Sequence, residues 1–135
     1  MPEQTVLPRL EDVQSWEGAE VTELGGERVG HVHGCFVDHG SGEPAWLIVR
    51  LGRRRRGVRT VAVPLGFCAG APFGVWVAQE GEKLGRAPVV DPARPLLREH
   101  ELTICEHFGI GDSVGRAAEV AARPEGAVTA SPPRL

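Results

Sequence analysis

VTELGGERVGHVHGCFVDHGSGEPAWLIVRL, residues 21–51, carries the pattern of two successive antiparallel hairpins. Val21–Leu24 turns through Gly25-Gly26 into a long strand, Arg28–Val37, which turns through Asp38–Pro44 into Ala45–Leu51. A Gly-Gly pair supplies the positive φ angles that a two-residue hairpin loop demands, and Asp/Gly/Ser/Gly suits a longer loop. The long strand has a parity conflict. Val29 and Val37 fall on one face with His31, His33 and Cys35, while Val32 and Phe36 fall on the other. Strict alternation cannot bury all of these apolar side chains, so a bulge near Gly34 is expected, kinking the strand and turning Cys35 inward. Ala45–Leu51 is the most continuous apolar run and reads as a central strand.

Further along, Gly52–Gly57 reads as a tight loop of four arginines, and Val58–Pro64 alternates as a fourth strand. Pro64 lacks a ladder donor and ends that strand or puts it at an edge. Gly66–Phe73 reads as a small-residue connection and Gly74–Gln79 as a fifth strand carrying Trp76. Five or six short strands at this spacing suggest a small, mainly β, antiparallel barrel or sandwich. After Glu80 the pattern changes. Ala87-Pro88 and Asp91–Pro95 form a proline-stiffened crossing segment. Leu96–Phe108 takes helical spacing, with Leu97, Ile104, Cys105 and Phe108 on one stripe and Leu102 beside it. Glu99 and Glu101 lie near the positive end of that helix, Gly109 suits its C-terminus, and Asp112–Arg123 reads as a second, weaker helix. The expected organisation is a loose lead-in over 1–15, a β unit over 16–90, the crossing segment and helices over 91–122, and a Pro/Ala/Ser-rich disordered tail over 123–135. Trp16 is expected to cover apolar edge.

The chain has 135 residues, one domain by length, and a net charge of −3 that argues against a general nucleic-acid binder. Charge is segregated. Residues 1–44 hold nine acids and two arginines, residues 45–79 hold six arginines and no acid, and residues 80–135 hold nine acids and seven bases. Cys35, Cys68 and Cys105 are odd in number, far apart and without a C-x-x-C spacing, as expected of buried thiols in a reducing compartment. Met1–Leu10 has no apolar core of a signal peptide, and no run approaches the ~20 residues that cross a bilayer. A cytoplasmic location follows as the expectation.

The order Gly25-Gly26-Glu27-Arg28-Val29-Gly30-His31-Val32, Asp38 with Gly40-Ser41-Gly42, Pro44-Ala45-Trp46 and Val61-Ala62-Val63-Pro64-Leu65 resembles the PRC-barrel family. That family includes the soluble part of the photosynthetic reaction-centre H subunit and the C-terminal half of a ribosome-maturation factor. The resemblance spans roughly Trp16–Ile110. Ala87-Pro88 and Glu101 to Ile110 are similar to the helical extension of stand-alone bacterial members. It implies a six-stranded, largely antiparallel barrel with a C-terminal helix, which mediates protein contacts or assembly and has no catalytic residues defined for the family. Leu97 at the helix cap, where Ser, Thr or Asp is usual, and the very basic loop depart from the pattern.

The candidate functional residues follow from chemistry. Arg53, Arg54, Arg55, Arg56 and Arg59 are suited to an acidic protein surface or to phosphate, or form a solvated hairpin tip; no aromatic is interleaved with them. Trp46, Trp76, Phe73 and the helix face around Phe108 are candidates for core or contact. His31 and His33, two apart on a strand, are a weak metal candidate with no evident third ligand, so no metal and no cofactor is expected. Ser41, Ser113 and Ser131 lack a nucleophile-elbow or S-x-x-K context, and no G-x-G-x-x-G precedes a helix. The expected function is therefore a non-enzymatic interaction module that self-associates, as a dimer, with an unnamed protein partner. An RNA- or ribosome-associated factor using the loop 53–59 is the alternative.

Overall fold

The computed structural model describes residues 8–38, 42–53 and 57–110. The apolar run predicted to be central is strand β3 (Pro44–Arg53), flanked by β2 (Arg28–Val37) and β4 (Gly57–Pro64), both antiparallel to it. Trp46, Leu47, Ile48 and Val49 are each at most 1% exposed, so both faces of β3 are covered. Residues so buried bring most of the hydrophobic stabilisation, about 1.5–3 kcal/mol for each large apolar side chain.

The parity conflict in β2 is resolved as its sequence requires. Val32 pairs with Val49 but Gly34 pairs with Ile48, so His33 is the extra residue of a bulge. Beyond it Cys35, Phe36 and Val37 are all buried. The turn into β3 is closed by Asp38 N–H to Glu43 O (2.8 Å), with Gly42 at φ +74. At the other end of β3 pairing continues to Arg53↔Gly57, which leaves 54–56 as the connection, shorter than the Gly52–Gly57 loop expected.

Three further expectations are corrected. The first strand is β1 (Glu20–Thr22), not Val21–Leu24: Leu24 is 63% exposed and lies in the turn. That turn is wider than two residues, closing through Glu23 N–H to Glu27 O, with Gly26 at φ +96. The segment expected to be a connection contains strand β5 (Cys68–Ala71), reached from β4 through a 3-10 turn at Leu65–Phe67 and joined by a two-residue loop to β6 (Gly74–Val77). The sheet is also mixed rather than antiparallel throughout. Its order is β4-β3-β2-β1-β6-β5, and β1 pairs β6 in parallel through Val21↔Val75 and Thr22↔Trp76. This crossover lets the β5–β6 hairpin extend the sheet past β1, where β2's other edge is already taken by β3. Among the described residues no ladder joins β4 to β5, so the six strands are not closed into a ring.

Instead a strap covers the outer edge of β4. Val61 and Val89 form a bridge, Val90 N–H donates to Thr60 O (2.9 Å), and Arg59 Nη2 donates to Ala87 O (2.7 Å).

Among the described residues three helices complete the fold. Leu10–Ser15, within the expected loose lead-in, forms α1, started by Arg9 N–H to Asp12 Oδ2 (3.0 Å). It packs on β2 and β3 and buries Val13, and Trp16 after it is 4% exposed. Gly81–Gly85 is the short α2. The predicted C-terminal helix is α3 (Arg98–Phe108); Leu97 is its cap and offers no side-chain bond, and Gly109 ends it at φ 71 in the left-handed conformation. Residues 112–123 and the tail to 135 lie outside the described residues. No described helix is long and apolar enough to cross a membrane.

Candidate functional site

Thr60–Gln79 contains no charged residue, in a chain that is 24% charged. The second half of this run builds the β5–β6 hairpin at one end of the sheet. Alternation on β6 sends Val75 and Val77 (each 1% exposed) inward and Trp76 outward. Trp76 is 55% exposed and Phe73, in the hairpin loop, 80%. Ala69 lies opposite Trp76 and shares its outer face. On the inner face a Cβ at Gly70 would meet Val75 Cγ2 at 2.7 Å and Trp16 Cε2 at 3.2 Å, so only glycine lets α1's trailing tryptophan close over the strand.

The other aromatic candidates are core. Trp46 is 0% exposed. Phe108 is 4% exposed, with its ring 6.0 Å from Phe67 and 4.9 Å, edge-on, from His107.

The basic residues divide. Arg59 is tied to Ala87 O and anchors the strap; Arg53 ends β3; Arg54, Arg55 and Arg56 lie outside the described residues. His31 and His33 flank buried Val32 at the surface. The charged form of His33 is disfavoured, first by desolvation and then by Arg50, with Glu17 opposing, so its pKa falls below 6.5. Among the described residues no three His, Cys, Asp or Glu side chains gather where a metal could sit. Cys35 is turned inward by the bulge, and desolvation, with a smaller push from Glu17, raises its thiol to about 12. Cys68 is half-exposed as a residue, but its thiol is tucked against Pro64 O (3.6 Å) and desolvation raises it likewise to about 12.

Two concavities lie elsewhere among the described residues, neither lined by the hairpin. A cleft of about 520 Å³ lies between the β1–β2 turn and α2, with Val29 and Leu51 beside Glu23, Glu27, Arg59 and Arg86. Its arginines are engaged, Arg86 with Glu82 at 2.9 Å and Arg59 with the strap. A smaller groove of about 360 Å³ runs between the strap and the start of α3, past Val89, Leu96, Leu97 and His100. Sequence reasoning placed Glu101 near the positive end of the helix but missed its burial: it is fully buried, with Oε1 3.5 Å from Arg98 Nη1. Its i, i+3 spacing from Arg98 was the one available signal.

No protein-family model matches this sequence, and a search of curated proteins returns no match.

Proposed function

We propose that this chain is a non-enzymatic protein-interaction and assembly module on a PRC-type β-barrel, and that it self-associates. The observation that carries the reading is the β5–β6 hairpin: uncharged, at the end of the sheet, with Phe73 80% and Trp76 55% exposed. Interface cores are depleted in charge and enriched in aromatic residues, and two large exposed rings on one short uncharged hairpin fit such a surface. The barrel is part of the proposal; what supports it is that both faces of β3 are buried and that the β4 edge is covered by the strap rather than left bare. The arginines nearest the larger cleft already have partners, and of the exposed large apolar side chains among the described residues only those of the hairpin, Phe73 and Trp76, are aromatic.

Light scattering on the full chain tests this. A mass that rises with concentration, and that falls to one chain in the double variant Phe73→Ser/Trp76→Ser, is expected. A self-associating chain whose mass ignores those two substitutions refutes the assignment to the hairpin.

A further inference from the structure

We propose that a second copy of this chain adds at the open edge of β5, strand against strand across a twofold axis, so that the two sheets become continuous. The proposal rests on the self-association reading above and locates its seam.

The two edges of the sheet are treated differently. The β4 edge is occupied by the strap through the Val61–Val89 bridge, the Val90–Thr60 hydrogen bond and the Arg59–Ala87 hydrogen bond. Among the described residues β5 pairs only with β6. Edge strands left bare are usually protected by shortness, charge, proline or a bulge. Cys68-Ala69-Gly70-Ala71 is short and is followed by Pro72, but it has no charge, proline or bulge within it and its register with β6 is unbroken.

The phase of the ladder shows which backbone groups face outward. Ala78 N–H donates to Phe67 O (2.8 Å), and in an antiparallel pair the inward-facing residues alternate. Phe67, Ala69 and Ala71 therefore face β6, and Cys68 and Gly70 face the open edge. Cys68 N–H is already used by Leu65 O, which leaves Gly70 N–H, Gly70 C=O and Cys68 C=O presented together. A donor between two acceptors on one short edge is self-complementary: antiparallel to itself, each Gly70 N–H meets a carbonyl of the other copy. Such a pairing brings Ala69 of each copy opposite or diagonal to the other, beside Trp76.

The size of this seam sets its strength. From their fractional exposure, Trp76 and Phe73 leave roughly 300 Å² of aromatic surface uncovered, short of the about 800 Å² per partner in a standard interface. The dimer therefore belongs to the weak class, with dissociation near micromolar or above, and forms across the about 1–100 µM range.

The test uses charge at Ala69, which is exposed in the single chain. Light scattering on wild type should show mass rising towards two chains with concentration. Ala69→Lys and Ala69→Glu should each weaken association about tenfold or more, because like charges meet across the seam, and an equimolar mixture of the two should restore the dimer. Far-UV circular dichroism and thermal unfolding confirm that both variants fold. A wild type that stays monomeric overturns both this inference and self-association, and leaves an extended segment of another protein as the occupant. A wild-type dimer that ignores charge at Ala69 but is lost in Trp76→Ser overturns the edge seam alone; the copies then meet on the hairpin's face. Loss of the dimer in both charge variants without recovery on mixing also overturns it.

Discussion

Replacing Gly30 by Ala should destabilise this protein far more than the same change at Gly34, four residues along the same strand. A Cβ on Gly30 would lie 2.0 Å from the Arg50 carbonyl oxygen, 2.8 Å from its carbon and 2.9 Å from Leu51 Cα. Ordinary contact begins at 3.4 Å, so β2 and β3 must part locally by more than about 1 Å. All three obstacles are backbone, and none can swing aside as a side chain does. A separation of that size stretches neighbouring ladder hydrogen bonds beyond useful length. Overpacking of about 1–3 kcal/mol plus one or two weakened bonds gives a cost of about 3 kcal/mol or more. For a total stability of 5–15 kcal/mol that is a large fraction, and the melting temperature should fall by roughly 10 °C. Gly34 meets nothing within 4 Å and has no positive φ. Ala there restricts the unfolded chain and should be neutral or stabilise by up to about 1 kcal/mol. Urea unfolding followed by fluorescence of buried Trp16 and Trp46 measures both variants in one assay. Equal effects, or a Gly30→Ala variant within about 0.5 kcal/mol of wild type, would refute the β2–β3 register on which the bulge argument stands.

The Cys35 and Cys68 thiols, both raised to about 12, hold their protons more tightly folded than unfolded. Their contribution to stability is complete below the unfolded thiol value near 9 and is lost as pH rises from there towards 12; chemical unfolding across that window should show the decline, and Cys35→Ala/Cys68→Ala should flatten it whatever its baseline stability. His33 titrates below its ordinary 6.5, so its effect has the opposite direction. The unfolded chain takes up the proton first, stability falls as pH drops through 6.5, and the ring protons of His33 should report a midpoint below that value by NMR. Arg59→Ala removes a charge-assisted hydrogen bond to Ala87 O, and faster amide exchange at Val90, which donates to Thr60, is expected from a loosened strap, with a global cost of about 1 kcal/mol. Unchanged exchange at Val90 would show that the strap holds without its arginine.

The meander was legible because its signals are local. Parity alone demanded a bulge in β2, and His33 supplies it; the uninterrupted Ala45–Leu51 run gave the central strand; Gly109 gave the end of α3. What sequence could not convey is pairing between distant segments. The parallel β1–β6 ladder joins residues more than fifty apart and leaves no mark on either strand. Strand β5 went unread because Cys-Ala-Gly-Ala has little β propensity of its own; it is a strand because β6 pairs it and because Gly70 admits Trp16. Trp46 and Trp76 are chemically identical, and only their position in the sheet makes one core and the other surface. Val13 and Trp16 anchored a lead-in that its polar composition had disguised.

The charge segregation in the sequence acquires a geometric meaning from the sheet. All six arginines of residues 45–79 precede Thr60, and no charge follows until Glu80. Strand β4 separates the two regions: its Gly57 end carries the arginine connection, and its Pro64 end leads through the 3-10 turn into β5. The eight residues of β4 span roughly 23 Å from its Gly57 end to its Pro64 end, and the turn Leu65–Phe67 comes between that end and β5. That span is more than two screening lengths at physiological ionic strength, about 8 Å each. A seam at β5 therefore joins two copies through a neutral edge and adds little repulsion between their basic tips. A seam through the β3–β4 tip would instead gather several arginines from each chain, or engage the acidic segment 1–44 of the other copy. The salt dependence separates these arrangements. With the seam at β5, the dissociation constant measured by sedimentation should change by less than about threefold between low and physiological salt. Dimerisation strengthened steeply by added salt would indicate arginine tips meeting each other, and dimerisation abolished by it would indicate arginine against acid; either result places the contact on the basic hairpin rather than the neutral one.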